Sequence, residues 1–274
     1  KIEIGSGPFS SLHGSQAIGG IVSISTKDKA LQDSMSVGLG VGPDNYHKEY
    51  LRGNLVKENA SVNLIAVNSK TTGFPVLSDS TLNRGYKNHS IAGDISYCYK
   101  RLDTSLSLWS SKGTTEYLVF GSPVSQDYKN EAFAVDLKFI TEQDYYILAN
   151  INLSEDLINQ NNENYLGVLD LTQTQRQSYE LLVHKEIKNL FSYSFGLESE
   201  SEDVNYSSYG SVFRKDLNTE SYLGAFEWGK NQSSWIASAR ESDHDLYGNQ
   251  SSWNLGFLHQ LTGSWSLYLN SGSA

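Results

Sequence analysis

The chain has 274 residues with 21 basic against 31 acidic side chains, a net charge of −10 with histidine neutral. Only 19% is charged and 38% hydrophobic, with 17 Tyr, 10 Phe and 5 Trp beside 4 Pro, 1 Met and 1 Cys. An acidic balance without a basic stripe argues against a nucleic-acid partner, this many aromatics argue against disorder, and a lone Cys98 excludes an internal disulfide.

Aromatic and serine-rich composition favours strands over helices. No apolar run approaches the roughly 20 residues of a membrane helix, but a β-barrel needs none. The chain opens on Lys1-Ile2 and stops on Ser273-Ala274 with no closing element, so both ends are expected to be cuts.

Residues 1–27 differ from the rest. Two short strands, Ile2–Ile4 and Ile21–Ser25, are expected to flank a glycine-rich loop. Gly5-Ser6-Gly7-Pro8-Phe9-Ser10 fails as a dinucleotide fingerprint: Ser10 replaces the third Gly, Pro8 sits inside the turn, and no long amphipathic helix follows.

From residue 33 onward one pattern repeats, a run of about ten residues alternating apolar and polar, which is the period of a strand with one wet face. Phe133, Val135, Leu137 and Phe139 alternate with Ala134, Asp136 and Lys138; Phe191, Tyr193, Phe195 and Leu197 with Ser192, Ser194 and Gly196. The expected strands are about 34–42, 46–57, 60–70, 86–99, 104–113, 129–141, 145–155, 175–187, 190–203, 217–229, 233–243, 250–260 and 264–274.

Short links such as Lys57-Glu58-Asn59 and Glu142-Gln143-Asp144 alternate with long loops expected near 71–85, 114–128, 156–174 and 204–216. Short turns on one side and long loops on the other are the habit of an outer-membrane barrel, with small polar residues toward its lumen. Trp109, Tyr128, Trp228, Trp235 and Trp253 are expected in its interfacial girdles. About thirteen strands is an odd number where single-chain bacterial barrels have even ones. The fold class is therefore all-β, an antiparallel transmembrane barrel present in part. Alone, an open sheet with unpaired edges is expected not to fold.

Enzymatic chemistry finds little support. Glu198, Glu200 and Glu202 are expected to share the lumen face, a charged row that fits a water-filled wall or a cation-attracting vestibule. No Ser-His-Asp context or phosphate loop occurs, and histidines 13, 47, 89, 184, 244 and 259 lack metal-ligand spacing.

The first segment also carries a resemblance. Ile2-Glu3-Ile4 through Gly7-Pro8, Ser11-Leu12-His13-Gly14-Ser15, Ala17-Ile18-Gly19-Gly20 and Ile24-Ser25-Thr26-Lys27 resemble the C-terminal end of the plug of TonB-dependent outer-membrane receptors. Ser6, His13 and Ser23 stand where that family usually has Arg, Tyr and Asn. Arg240-Glu241-Ser242-Asp243-His244 with Tyr247-Gly248, and Gly73-Phe74-Pro75 with Arg84-Gly85-Tyr86-Lys87-Asn88, resemble cobalamin transporters of the BtuB type; the first of these also recurs in some siderophore receptors.

The resemblance implies a plug end at 1–30 and, at 31–274, the N-terminal part of a barrel of roughly 22 strands. It implies import of cobalamin (vitamin B12) across the bacterial outer membrane, with a ferric siderophore as the alternative cargo. TonB would engage through a more N-terminal segment, and outer-membrane lipid would surround the barrel. The implied ligand surface is Phe9, Ser10, Ser11 and Leu12 on the plug loop with Phe74, Tyr117 and Tyr165 on the barrel loops; Tyr206 and Tyr209 also suit a large, partly apolar ligand. No catalytic residue and no resident cofactor is expected. Calcium enters as an option through Asp-rich loops, but only Asp79 with Asn83 nearby suits it, so no metal ligand is named.

Overall fold

The computed structural model describes residues 2–6, 20–24, 32–78, 80–162, 169–187, 190–208, 210–230, 232–263 and 265–273. Strands β1 (Ile2–Ser6) and β2 (Gly20–Ile24) form an antiparallel pair, with Ile4 opposite Val22. The remaining strands form one antiparallel sheet in strict chain order: β3 (Ser34–Gly42), β4 (Tyr46–Lys57), β5 (Ala60–Pro75), β6 (Asn83–Tyr99), β7 (Leu102–Val119), β8 (Ser122–Ile140), β9 (Tyr145–Asn162), β10 (Leu169–Ile187), β11 (Phe191–Ser208), β12 (Ser211–Lys230), β13 (Ser233–His244), β14 (Gly248–Gln260) and β15 (Ser266–Ser273). The sheet is open, with β3 and β15 as its edges.

Each expected strand is present, but the expected long loops are largely not loops. Residues 114–119 and 122–128 continue β7 and β8 to a two-residue turn at Phe120-Gly121, and 204–208 and 211–216 likewise extend β11 and β12. Of the stretch 156–174, residues 156–162 and 169–174 are strand. Polar Ser, Thr, Asn and Gln continue the ladder because their backbone groups pair whatever the side chain, so polarity marked the limit of the apolar layer and not the limit of the strand.

Turn chemistry closes the hairpins. Asp44 and Asn45 have φ of 55° and 53°, the left-handed pair of a tight hairpin turn closed by Tyr46 N–H on the Pro43 carbonyl at 3.0 Å. Gly73, at φ 64°, forms a bulge: the register runs Thr71 to Tyr86, then Phe74 to Arg84, leaving one extra residue on β5.

The register sorts the side chains into two faces. One carries Val37, Leu51, Val62, Leu64, Ile95, Leu106, Phe133, Val135, Ile151, Leu181, Leu197, Phe226, Trp235, Leu255 and Leu269, matched strand to strand, and most of these are exposed. On the other lie Asn54, Asn63, Ser111, Ser221, Ser238, Arg240 and Asn254, all buried; Val124 is the one buried hydrophobic side chain among the described residues. A water-soluble domain has the opposite arrangement. Buried polar and exposed apolar faces together describe a sheet whose convex side meets lipid and whose concave side crowds around a wet lumen.

The apolar band crosses the sheet obliquely. The register row that begins at Val41 on β3 continues through His47, Lys70, Lys87 and Thr114 to Asp127, from apolar to polar. The row through Leu269 runs by Phe257, Trp235, Trp228 and Phe191 to Ile187, at the very end of β10. The band thus drifts by about one residue per strand, or roughly 3.4 Å along the strand for each step of about 4.8 Å across the sheet. That ratio inclines the strands by roughly 35°, the tilt of a closed transmembrane barrel.

Candidate ligand-binding face and its setting

Long side chains on the inner face reach over intervening strands, since strands two apart lie only about 9.6 Å from each other. Tyr128 on β8 donates its hydroxyl proton to Asn88 Oδ1 on β6 at 2.7 Å, passing over Gly113 of β7. A Cβ at Gly113 would lie 2.7 Å from that hydroxyl and 1.9 Å from the Lys87 carbonyl oxygen, so only glycine fits beneath the crossing. Asn88 also accepts from Ser111 at 3.0 Å, and Ser90 and Ser111 lie 2.9 Å apart.

Deeper in the lumen, Glu198, Glu200 and Glu202 do line one face, as their spacing predicts. The row is ion-paired. Arg240 reaches from β13 across β12 to Glu198 at 2.5 Å, and Arg176 meets Glu200 at 3.3 Å and Glu202 at 3.1 Å. Arg240 is only 8% exposed and also donates to Ser242 Oγ at 3.1 Å. Three carboxylates answered by two guanidinium groups make a structured wall and weaken the reading of an open cation-attracting vestibule.

The prolonged hairpins carry a second inner surface, a rim above this wall. The Gly73 bulge decides its first member. Without the extra residue Phe74 would share the outward parity of Val62, Leu64 and Ala66; opposite Arg84 it joins the face of Tyr86 and Asn88. Thr71 and Thr72 hydroxyls each donate to the Asp44 carbonyl at 2.8 Å, which ties the bulge to the β3–β4 turn. Phe74 remains 62% exposed.

Tyr117 on β7 faces the same side opposite Val124, and donates to Gln126 Oε1 at 3.2 Å. Burial, then the Asp170 carboxylate, raise its phenol above the ordinary value. Asp170 accepts from Ser208 at 2.6 Å. Tyr206 and Phe213, paired across β11 and β12, extend the aromatic rim and are exposed.

Of the sequence-derived ligand residues, Phe74 and Tyr117 come to this one inner rim. Phe9, Ser10, Ser11, Leu12 and Tyr165 lie outside the described residues, as do Tyr209 and Asp79. Trp109 and Tyr128 are not girdle residues: Trp109 pairs with Ala92 and Ala132, and both it and Tyr128 face the lumen because their parity is opposite to that of Leu108 and Phe133. Trp228, Trp235 and Trp253 do sit on the lipid face. Sequence reasoning missed the bulge and the Arg240 crossing. Because 71–85 reads as a loop, a glycine there is unremarkable and gives no sign of the first; nothing local announces the second.

Just beyond the apolar band, the outer face of the hairpins is charged. Lys129 Nζ lies 2.9 Å from Glu155 and 3.0 Å from Glu131, while Gln173 and Gln175 donate to Glu155 at 2.7 and 3.1 Å. The Lys129 hydrogen bond and then those of the two glutamines hold the Glu155 carboxyl down to about 2.

Solved structures with this arrangement include the alcaligin outer-membrane receptor FauA of Bordetella pertussis, at 14% identity and a TM-score of 0.76 over 97% of this chain and 48% of that one. The siderophore receptor PirA of Acinetobacter baumannii has a TM-score of 0.73 at 17% identity, over 98% of this chain and 47% of its own. The fold is that of the TonB-dependent outer-membrane receptors.

The receptor fold places the chain in the bacterial outer membrane. No family model matches the sequence. Curated relatives include the vitamin B12 transporter BtuB of Vibrio cholerae serotype O1, 23% identical over 303 residues covering 100% of this chain and 46% of that protein. The transporter of the same name from Vibrio vulnificus strain CMCP6 is 24% identical over 296 residues, again 100% of this chain and 46% of its own length. The chain spans about half the length of the curated relatives it matches.

Proposed function

We propose that this receptor chain serves TonB-dependent import of cobalamin. The observation that carries the reading is the inner rim, where Phe74, Tyr86, Tyr117, Tyr206 and Phe213 offer aromatic faces above a polar, ion-paired wall. A large chelate with a partly apolar ring and a polar periphery matches that surface, since aromatic side chains combine broad apolar contact with polar edges. The curated relatives, named vitamin B12 transporters, support the same cargo. The barrel would bind and release without covalent chemistry, so no enzymatic activity is assigned.

In this reading residues 1–30 are the end of a plug and 31–274 the first part of the barrel around it. Phe9, Ser10, Ser11, Leu12 and Tyr165 complete the ligand surface, and TonB supplies the pull that frees the cargo. The solved relatives named as siderophore receptors favour the second cargo, a ferric siderophore. Equilibrium binding of cyanocobalamin to the refolded full-length protein, with and without calcium, separates the two. Tight binding strengthened by calcium supports cobalamin. Binding of ferric siderophores in its place would retain the transport class and overturn the cargo.

A further inference from the structure

The register that defines the lipid face also gathers cations on it. Outward of the apolar band, His47 on β4 is opposite Lys70 on β5, and Lys70 is opposite Lys87 on β6. One row lower, His89 on β6 is opposite Lys112 on β7, and Lys112 is opposite Lys129 on β8. All six share the outward parity of Leu51, Leu64, Ile91, Leu108 and Phe133. Because the band drifts by about one residue per strand, the step from the Lys70 row to the Lys112 row keeps the cluster at one height above the hydrocarbon. In a chain of net charge −10 this is a local reversal of sign.

Lysines directly opposite one another are about 5 Å apart at Cβ and repel. Glu131 and Glu155 answer Lys129, whereas Glu49 is engaged by Asn68 at 3.3 Å and Glu116 accepts from the Gly85 amide at 3.1 Å. Asp127 accepts from Thr114 at 2.6 Å. Among the described residues no carboxylate lies within ion-pair distance of Lys70, Lys87 or Lys112, and all three are exposed. A repelling cluster at the membrane boundary calls for an anion brought by the membrane.

We infer that Lys70, Lys87 and Lys112, flanked by His47 and His89, bind the phosphorylated headgroup of an outer-leaflet lipid. Its acyl chains would lie on the apolar band below, at Leu51, Ala66, Ile91 and Leu108. That continuity favours a lipid over free phosphate: the tails bury apolar surface while the phosphates answer the ammonium groups.

The test uses native mass spectrometry of the full-length protein in a non-ionic detergent, with diphosphoryl lipid A as the probe and phosphatidylcholine and inorganic phosphate as comparators. Lipid A adducts are expected on the wild type, weakened by about tenfold or more in K70Q/K87Q/K112Q. They should be retained in K70R/K87R/K112R and in K57Q/K100Q, which alters the opposite end of the strands. Wild-type binding should also fall steeply as salt rises from about 0.1 to 1 M, a readout that needs no variant. Undiminished binding by the glutamine variant, equal uptake of phosphatidylcholine, insensitivity to salt, or displacement of lipid by millimolar inorganic phosphate would each overturn the proposal.

Discussion

Arg240 and Glu198 belong to strands that do not touch, yet their side chains meet at 2.5 Å across the width of β12. Ser221 of β12 lies beneath the crossing, 2.8 Å from Ser242 and only 3% exposed, so its short side chain leaves the arginine its path. The contact ties β11 to β13 over the intervening strand and places a guanidinium where sequence alone shows only a strip of acid.

Removing either partner leaves the other charge poorly solvated. R240A and E198Q should each destabilise the refolded barrel by about 1–3 kcal/mol, below the cost for a fully dry pair because the lumen is wet. Urea unfolding in micelles measures both, and the double variant should cost less than the sum of the two. Strict additivity would deny the coupling.

Gly113 and Gly53 provide a matched comparison. A methyl group at Gly113 enters the space of the Lys87 carbonyl and the Tyr128 hydroxyl, whereas one at Gly53 meets nothing within 4 Å. G113A should therefore destabilise by about 1–3 kcal/mol, while G53A leaves the unfolding midpoint unchanged or raised. Equal midpoints for the two variants would contradict the crowded inner face.

The tip of the β7–β8 hairpin stores strain. Phe120 has φ of 48° and is fully exposed, in a turn position that suits Asn before Gly. F120N should stabilise the hairpin by about 0.5–1 kcal/mol, read as slower amide exchange at residues 115–126. Faster exchange would show that the ring is held by a contact outside this chain.

The Glu155 network makes a pH prediction. Its carboxyl, held at about 2 against an ordinary value of 4.5, stabilises the outer hairpins fully above pH 4.5. That contribution is lost as pH falls through 4.5 toward 2, when the unfolded chain binds the proton first. Carbon-13 NMR of labelled glutamate should give a midpoint near 2 that K129Q moves upward. An ordinary midpoint in the wild type would show that Lys129 does not hold the Glu155 carboxylate in solution.

The alternation of apolar and polar residues, by itself, determined the strand number, the order of the hairpins and the existence of two faces, because side-chain direction along a strand has a period of two. The Glu198–Glu202 row was legible for the same reason. Strand length was not: beyond the apolar layer the ladder continues with Thr, Asn and Gln, and polar composition there resembles a loop. Nor was the membership of each face wherever parity changes.

The bulge at Gly73 turns Phe74 inward, while Trp109 and Tyr128, counted among membrane-facing aromatics by composition, prove to face the lumen once they are paired with Ala132 and Gly113. The oblique lipid band, the cation cluster from His47 to Lys129 and the reach of Arg240 over β12 all join residues tens of positions apart. Such proximities follow from inter-strand register and sheet curvature, which are summed over many strands and leave no trace in any one of them.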